Sequence, residues 1–529
     1  MHRRDLLKLA TAFGAGSLAS TFAAGCGGPQ VVAKGGPVPT VTGKTPPPQP
    51  AAAKIVYFAR FGVTESLIRD TLAVALAKGG DYADVYFQHK VSSTLALEDG
   101  DVNRAYANVD LGVGVRVVKG DQTGYGYTEE LTLDALKRAA ATAASIADGP
   151  SRAAPTSFRA DPGPAGTFPA RYVLDRSWDD VSIKEKLPLL VGLNERALKK
   201  DARVKKVSVW LVDEAGAVLV ADSNGRLVED IQPMTMLGLN CTAEDKGKRE
   251  SNGYNVAGRE GLGFYSVDRL DRVVTRAVER TLVLFDAVQP PAGEMPIVMA
   301  AGSSGILLHE AIGHGMEADF NRKNVSIYSD KIGKMIAKPF VNIVDDGTID
   351  RARGTINVDD EGNVAEKTML VESGKLATYM HDSISAKHYG VKATGSGRRE
   401  SFRYAPMPRM RATYMLNGPH TKDEIIKSIQ HGIYCDNFTN GQVKIGAGDF
   451  TFYVKNGYLI EDGKLTRPIK DVNIIGNGPK VLEKIDMVAG DLAIDEGGWT
   501  CGKDGQSVPV SQGMPTVRVS SITVGGRKA

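Results

Sequence analysis

Gln289-Pro290-Pro291-Ala292-Gly293 decides how this chain divides, because paired prolines break both a helix and a strand ladder. To its left, Thr64 caps a helix reaching about Lys78, with Leu67, Ile68, Leu72 and Leu76 as its apolar face. Four short, Gly-punctuated strands follow over 83–89, 92–97, 102–108 and 112–118, and Glu98-Asp99-Gly100 turns a hairpin among them. Helices are expected over 133–147 and 182–199, the latter carrying Pro188. A second strand group then runs over 204–242, turning at Glu214-Ala215-Gly216 and Ser223-Asn224-Gly225, before an amphipathic helix over 269–285. To the right of the prolines the pattern offers one buried helix near 304–320 and then mostly strands. The last strand, 516–524, alternates through Val517, Val519, Ile522 and Val524 with one slip in phase. Elements grouped by type, rather than alternating, predict the α+β class with antiparallel sheets. Two domains are expected, an N-terminal α+β domain over 60–289 and a mostly β domain over 290–529 built around one buried helix.

The chain has 529 residues, 42% hydrophobic and 24% charged, enough to bury large cores. Net charge is +3, and Arg3, Arg4 and Lys8 against Asp5 place +2 of it within the first 25 residues. The remainder is too weakly basic for a nucleic-acid surface, so no nucleic-acid partner is expected.

Residues 1–25 read as an export signal. A twin arginine precedes an apolar run rich in Ala and Gly, which addresses the chain to the periplasm or the cell surface. Phe22-Ala23-Ala24-Gly25-Cys26 resembles a lipoprotein cleavage box, with Ala23 where Leu is usual, and makes Cys26 a candidate lipid anchor to the membrane. Residues 26–59, with Pro46-Pro47-Pro48, read as a Pro/Gly-rich tether. Cys241, Cys435 and Cys501 are then left, an odd number, so at least one is free or metal-bound.

The chemistry concentrates in Ser304-Gly305-Ile306-Leu307-Leu308-His309-Glu310-Ala311-Ile312-Gly313-His314-Gly315-Met316-Glu317. Burying His309 and Glu310 among so many apolar neighbours costs several kcal/mol unless something coordinates or pairs with them. The spacing is His-Glu-x-x-x-His, one residue longer than the familiar zincin motif. On a regular helix, positions i and i+5 diverge by about 140°, so the two histidines could not share a metal. A π-type widening, or a helix that ends at Gly313, would bring them together. A catalytic zinc also needs a third ligand and a base. Cys501, in the Gly-rich turn Gly497-Gly498-Trp499-Thr500-Cys501-Gly502, competes for the ligand position with Glu317 and Cys435.

Three blocks in order resemble the signatures of the TldD/PmbA family of metallopeptidases. They are 307–315, Tyr404-Ala405-Pro406-Met407-Pro408-Arg409-Met410 and Cys501-Gly502-Lys503-Asp504-Gly505-Gln506-Ser507. The resemblance, running from about residue 60 to Gly526, implies that His309, His314 and Cys501 hold Zn(2+) and that Glu310 is the general base. It implies a TldD-type catalytic subunit that cleaves peptides or unfolded segments, as a homodimer or with a PmbA-type partner. The export signal departs from familiar members, which are cytoplasmic. A metal-dependent hydrolase of another amide, and a non-catalytic exported assembly subunit, are the alternatives. For the oxyanion, His381, His388, Arg403 and Tyr404 are candidates. Asp359-Asp360-Glu361-Gly362-Asn363 reads as a solvated turn and Thr394-Gly395-Ser396-Gly397-Arg398-Arg399 as a flexible basic loop.

Overall fold

Residues 54–160, 169–444 and 446–525 are described in the computed structural model of the chain. The export signal, Cys26 and most of the tether lie outside them. The tether's described end is packed rather than extended: Phe58 is fully buried, and the Glu229 carboxylate accepts the backbone N–H groups of Val56, Tyr57 and Phe58 at 2.6, 3.1 and 2.9 Å.

The first helix, Glu65–Ala75, begins at Thr64, whose hydroxyl accepts from the Leu67 N–H at 3.2 Å. Two long strands replace the four short ones expected, β1 (Tyr82–Glu98) and β2 (Asp101–Lys119), turned at Asp99 (φ 53°) and Gly100 (φ 95°). The ladder runs unbroken through the polar stretches, pairing Lys90 with Asp110 and Ser92 with Asn108. Hydrophobic pattern marks where a strand is buried, not where its hydrogen bonds stop, and residues 101–109 are exposed along their length.

Five more strands complete one antiparallel sheet: β3 (Gln122–Thr128), β4 (Val204–Asp222), β5 (Leu227–Ile231), β6 (Met234–Asp245) and β7 (Lys248–Gly258). Their order is β3-β2-β1-β4-β6-β7, with β5 on β4. The turn expected at 214–216 does not form, since β4 runs straight through it. Gly216 is needed for room instead, because a Cβ there would sit 2.8 Å from the Gln232 carbonyl oxygen. Helices Glu65–Ala75 and Leu133–Ala144 cover one part of the sheet around Phe87, Val113 and Leu219. Helices Ile183–Lys200 and Val267–Leu282 cover the other around Val209, Leu237 and Val256. The former starts at a Ser182/Glu185 capping box, and Pro188 lies inside it.

Beyond the prolines, strand Gly293–Met299 pairs with His431–Lys444 on one side and Val517–Gly525 on the other. Val517–Gly525 pairs with Val472–Asn477, that strand with Asp449–Glu461, and Asp449–Glu461 returns to His431–Lys444, closing a ring of five strands. The phase slip in the last strand is a register shift between Val519 and Ile522. Phe438, Phe450 and Phe452 share one core with Ile306, Leu307, Leu308 and Ile312 of the buried helical run. A six-stranded sheet that includes Ile343–Asp346, Ala412–Met415 and Ser511–Met514 completes this half. The class is α+β with mainly antiparallel sheets; the pairs Gly293–Met299 with His431–Lys444 and Ala412–Met415 with Ser511–Met514 run parallel.

Two expectations fail here. Asp359, Asp360 and Glu361 are not a solvated turn but are buried against the N-terminal half, where Glu361 meets Arg116 at 2.8 Å. The stretch 394–399 is likewise buried, with strand Gly397–Arg398 paired to Met407–Pro408. A carboxylate and a guanidinium buried together satisfy one another, and the sequence of either loop alone does not display its partner. Among the described residues no helix is long and apolar enough to cross a membrane.

Candidate metal centre

The helical run changes pitch where the two histidines require it. A 3-10 turn at Ser303–Gly305 leads into α-helix Ile306–Leu308, π-helix His309–Gly313 and a 3-10 turn at His314–Met316. The wider π turn brings the rings of His309 and His314 to 5.2 Å between centroids. Gly313 has helical backbone (φ −58°) and is required for space, because a Cβ there would lie 2.1 Å from the Met410 sulfur.

Cys501 lies on a strand and not, as expected, in a glycine-rich turn. Thr500–Lys503 pairs with Gln506–Pro509 around Asp504 and Gly505 (φ 48° and 73°). Period-two alternation turns Cys501 and Lys503 to the same buried face. Arg409 fixes the strand by donating from Nη2 to the Cys501 carbonyl at 2.6 Å.

His309, His314 and Cys501 are 3%, 4% and 1% exposed, and their donor atoms all lie within 4.8 Å of one another. Cys501 Sγ is 3.6 Å from His314 Nε2. Neither ring nitrogen of His309 has a hydrogen-bond partner, which is costly for a buried imidazole unless a metal takes it. Two imidazoles and a thiol are a zinc donor set that leaves a position open.

Glu317 takes a different place from the one its candidacy assumed. Its carboxylate lies behind His314, 3.0 Å from Nδ1, and 3.2 Å from Lys503 Nζ. Lys503 also reaches Asp319 at 2.7 Å and the Pro408 carbonyl at 3.0 Å. The arrangement commits Nδ1 to Glu317 and aims Nε2 toward Cys501. Lys503 and Asp319 escaped the sequence reading. The available signal was that Lys503 stands two residues from Cys501 on the same strand face. Cys435 is buried on His431–Lys444 and lies outside the donor group.

Electrostatics follow the geometry. Burial favours a neutral Cys501 thiol, but His309 and His314 outweigh it and hold the group well below the usual thiol range. Burial favours a neutral His314, yet Glu317 and Cys501 raise it well above the ordinary imidazole value. Glu317 is lowered to about 2 because Lys503 and His314 overcome its burial. Glu310 behaves oppositely: burial raises it, and the two histidines only partly offset that. Unlike Cys501, Cys241 is pushed up to about 11 by burial.

Of the residues considered for the oxyanion, His381 is buried, meets Tyr389 edge to face at 5.3 Å and is lowered to about 4 by burial. Arg403 is engaged with Asp110 at 3.1 Å and Glu129 at 2.7 Å. Tyr404 is 36% exposed, and His388 packs on Tyr389.

Family models described as PmbA/TldA metallopeptidase domain 1, central domain and C-terminal domain match residues 83–147, 176–285 and 292–526. A metalloprotease TldD homolog of Haemophilus influenzae is 42% identical, over 84% of this chain and 93% of its own length. A zinc metalloprotease TldD homolog of Saccharolobus solfataricus is 32% identical, over 50% of this chain and 59% of its own length. The crystal structure of TldE from Thermococcus kodakarensis shares the fold with a TM-score of 0.67 at 19% identity, covering 87% of this chain and 99% of that one.

Proposed function

This chain belongs to the PmbA/TldA metallopeptidase family, and we propose that it is a zinc-dependent peptidase that hydrolyses peptides or unfolded segments. The observation that carries the proposal is the convergence of His309, His314 and Cys501 within 4.8 Å, with both His309 nitrogens unpartnered. His309, His314 and Cys501 would hold the ion, which when bound supplies a Lewis acid for the scissile carbonyl and for an attacking water. The Glu310 carboxylate takes the proton from that water and delivers it to the departing amide nitrogen. Glu317, itself held by Lys503, keeps the His314 ring in the orientation that presents Nε2.

The proposal extends to the assembly, a homodimer or a heterodimer with a PmbA-type subunit, supported by the fold shared with TldE. It extends also to export, supported by Arg3-Arg4 and by Cys26 as a lipid-anchor site. Digestion of a peptide library by the zinc-loaded protein, beside Glu310→Gln, tests the activity. Wild type should cleave and the variant should not, while both retain zinc. Intact peptides beside a metal-loaded wild type would overturn the peptidase reading.

A further inference from the structure

A cavity of about 290 Å³ lies between the two halves of the chain, and Thr500, Ser507 and Pro509 of the hairpin that carries Cys501 form part of its wall. Arg259, Arg353 and Arg398 also line it. Arg259 and Arg398 are 3% and 4% exposed, and Arg353 is partly buried. None of the three has a carboxylate within 4.0 Å among the described residues, although Arg116 and Arg411 elsewhere in the molecule each do.

Their hydrogen bonds go only to neutral oxygens. Arg398 donates to the carbonyls of Met410 at 2.6 Å and Pro509 at 2.8 Å. Arg353 donates to the Trp499 carbonyl at 2.9 Å and the Thr500 hydroxyl at 3.4 Å. Arg259 reaches the Pro233 carbonyl at 3.4 Å, and its buried Nε has no partner. Nearby carboxylates answer this charge only from beyond ion-pair contact, Asp360 acting on Arg398 and Asp230 on Arg259. Asp360 accepts the Arg399 backbone N–H at 2.7 Å and Glu400 accepts that of Ser507 at 2.6 Å. Glu214 faces Arg353 from beyond ion-pairing distance. Burial pulls Arg353 and Arg398 down to about 10, so both stay charged at neutral pH.

We propose that this cavity binds a small oxyanion carrying at least two negative charges, gripped by Arg259, Arg353 and Arg398. Buried guanidiniums without a contacting counter-charge are costly, and their planar forks fit carboxylate and phosphate oxygens two at a time. A phosphate-type ion and a short dicarboxylate share that chemistry. The site is distinct from the metal ligands and does not depend on the peptidase reading.

Calorimetric titration of inorganic phosphate, and separately of succinate, into the full-length protein tests the assignment. One saturable site per chain is expected for at least one anion, weakened tenfold or more by Arg259→Met and by Arg353→Met. Binding of phosphate alone assigns a phosphate-type ligand, and of succinate alone a dicarboxylate. Melting with and without the anion separates binding from a structural role: wild type should gain a stabilising shift that Arg259→Met lacks, whatever the variant loses with the Tyr172 ring contact at 4.9 Å and the Pro233 carbonyl bond. Absence of saturable binding by both anions would overturn the proposal. So would equal binding by wild type and both variants.

Discussion

The roles proposed for Glu310 and Cys501 can each be separated from folding by one substitution. Glu310→Gln should retain zinc and lose about 10²–10⁴-fold in turnover, the span general-base catalysis contributes. Zinc lost together with activity would make Glu310 a ligand instead. Cys501→Ser should strip the metal, because a neutral hydroxyl replaces a thiolate, while Cys435→Ser and Cys241→Ser should leave it in place. A thiol reagent provides the check: Cys501 should react only after zinc is chelated. Glu317→Gln should weaken zinc binding about 10–100-fold without abolishing it, as loss of an orienting partner does. Competition with a chelator measures that, and unchanged affinity would show that the contact to His314 Nδ1 is idle. The His309-Glu310 pair was legible through its unusual company in an apolar helix, whereas the residues around Cys501 left it in competition with Glu317 and Cys435 until the family resemblance singled it out. The role of Glu317 was not legible. Which side of His314 it approaches depends on Lys503, 186 positions away along the chain.

At the scale of elements, the π turn over His309–Gly313 brings together two histidines whose spacing a regular helix would hold apart. The mismatch of five positions with the helical repeat announced this from sequence. What sequence could not show is the cause of its persistence, since Met410 arrives from a distant segment to fill the space beside Gly313. Gly313→Ala should therefore destabilise the protein by about 1–3 kcal/mol, the usual cost of overpacking, and displace His314. Denaturant unfolding and zinc content check the two parts; an unchanged midpoint with full zinc would mean the turn does not need the glycine. Strand lengths were the least legible elements. β1 and β2 keep their ladder through Lys90 and Asp110, because backbone hydrogen bonds follow register while hydrophobic pattern follows burial.

For the whole molecule, the α+β class was readable from grouped elements, but the joint between the stretches before and after Pro290-Pro291 was not. That joint is built from charges: Arg116 between Asp84 and Glu361, with Asp359 and Asp382 nearby, all buried. Taken singly, such residues look solvated. Burial first, and the Glu361 charge second, push the Asp382 carboxyl up to about 6 from an ordinary 3.8. Between about pH 4 and 6 the native chain thus keeps a proton that the unfolded chain releases, so this group's contribution to stability falls as pH rises through that window. Asp382→Asn keeps the cap on the Ser385 N–H and cannot ionise. Its melting temperature relative to wild type should climb across that interval and then level off, whereas parallel melting curves would contradict the shifted carboxyl. The proposed chemistry rests on zinc held by His309, His314 and Cys501 in the intact chain, which X-ray absorption at the zinc edge measures. The predicted result is one zinc per chain with a single sulfur at about 2.3 Å and two imidazole nitrogens at about 2.0–2.1 Å, the sulfur shell vanishing in Cys501→Ser. A zinc without sulfur in the wild type, or a sulfur shell that survives in Cys501→Ser, would contradict it.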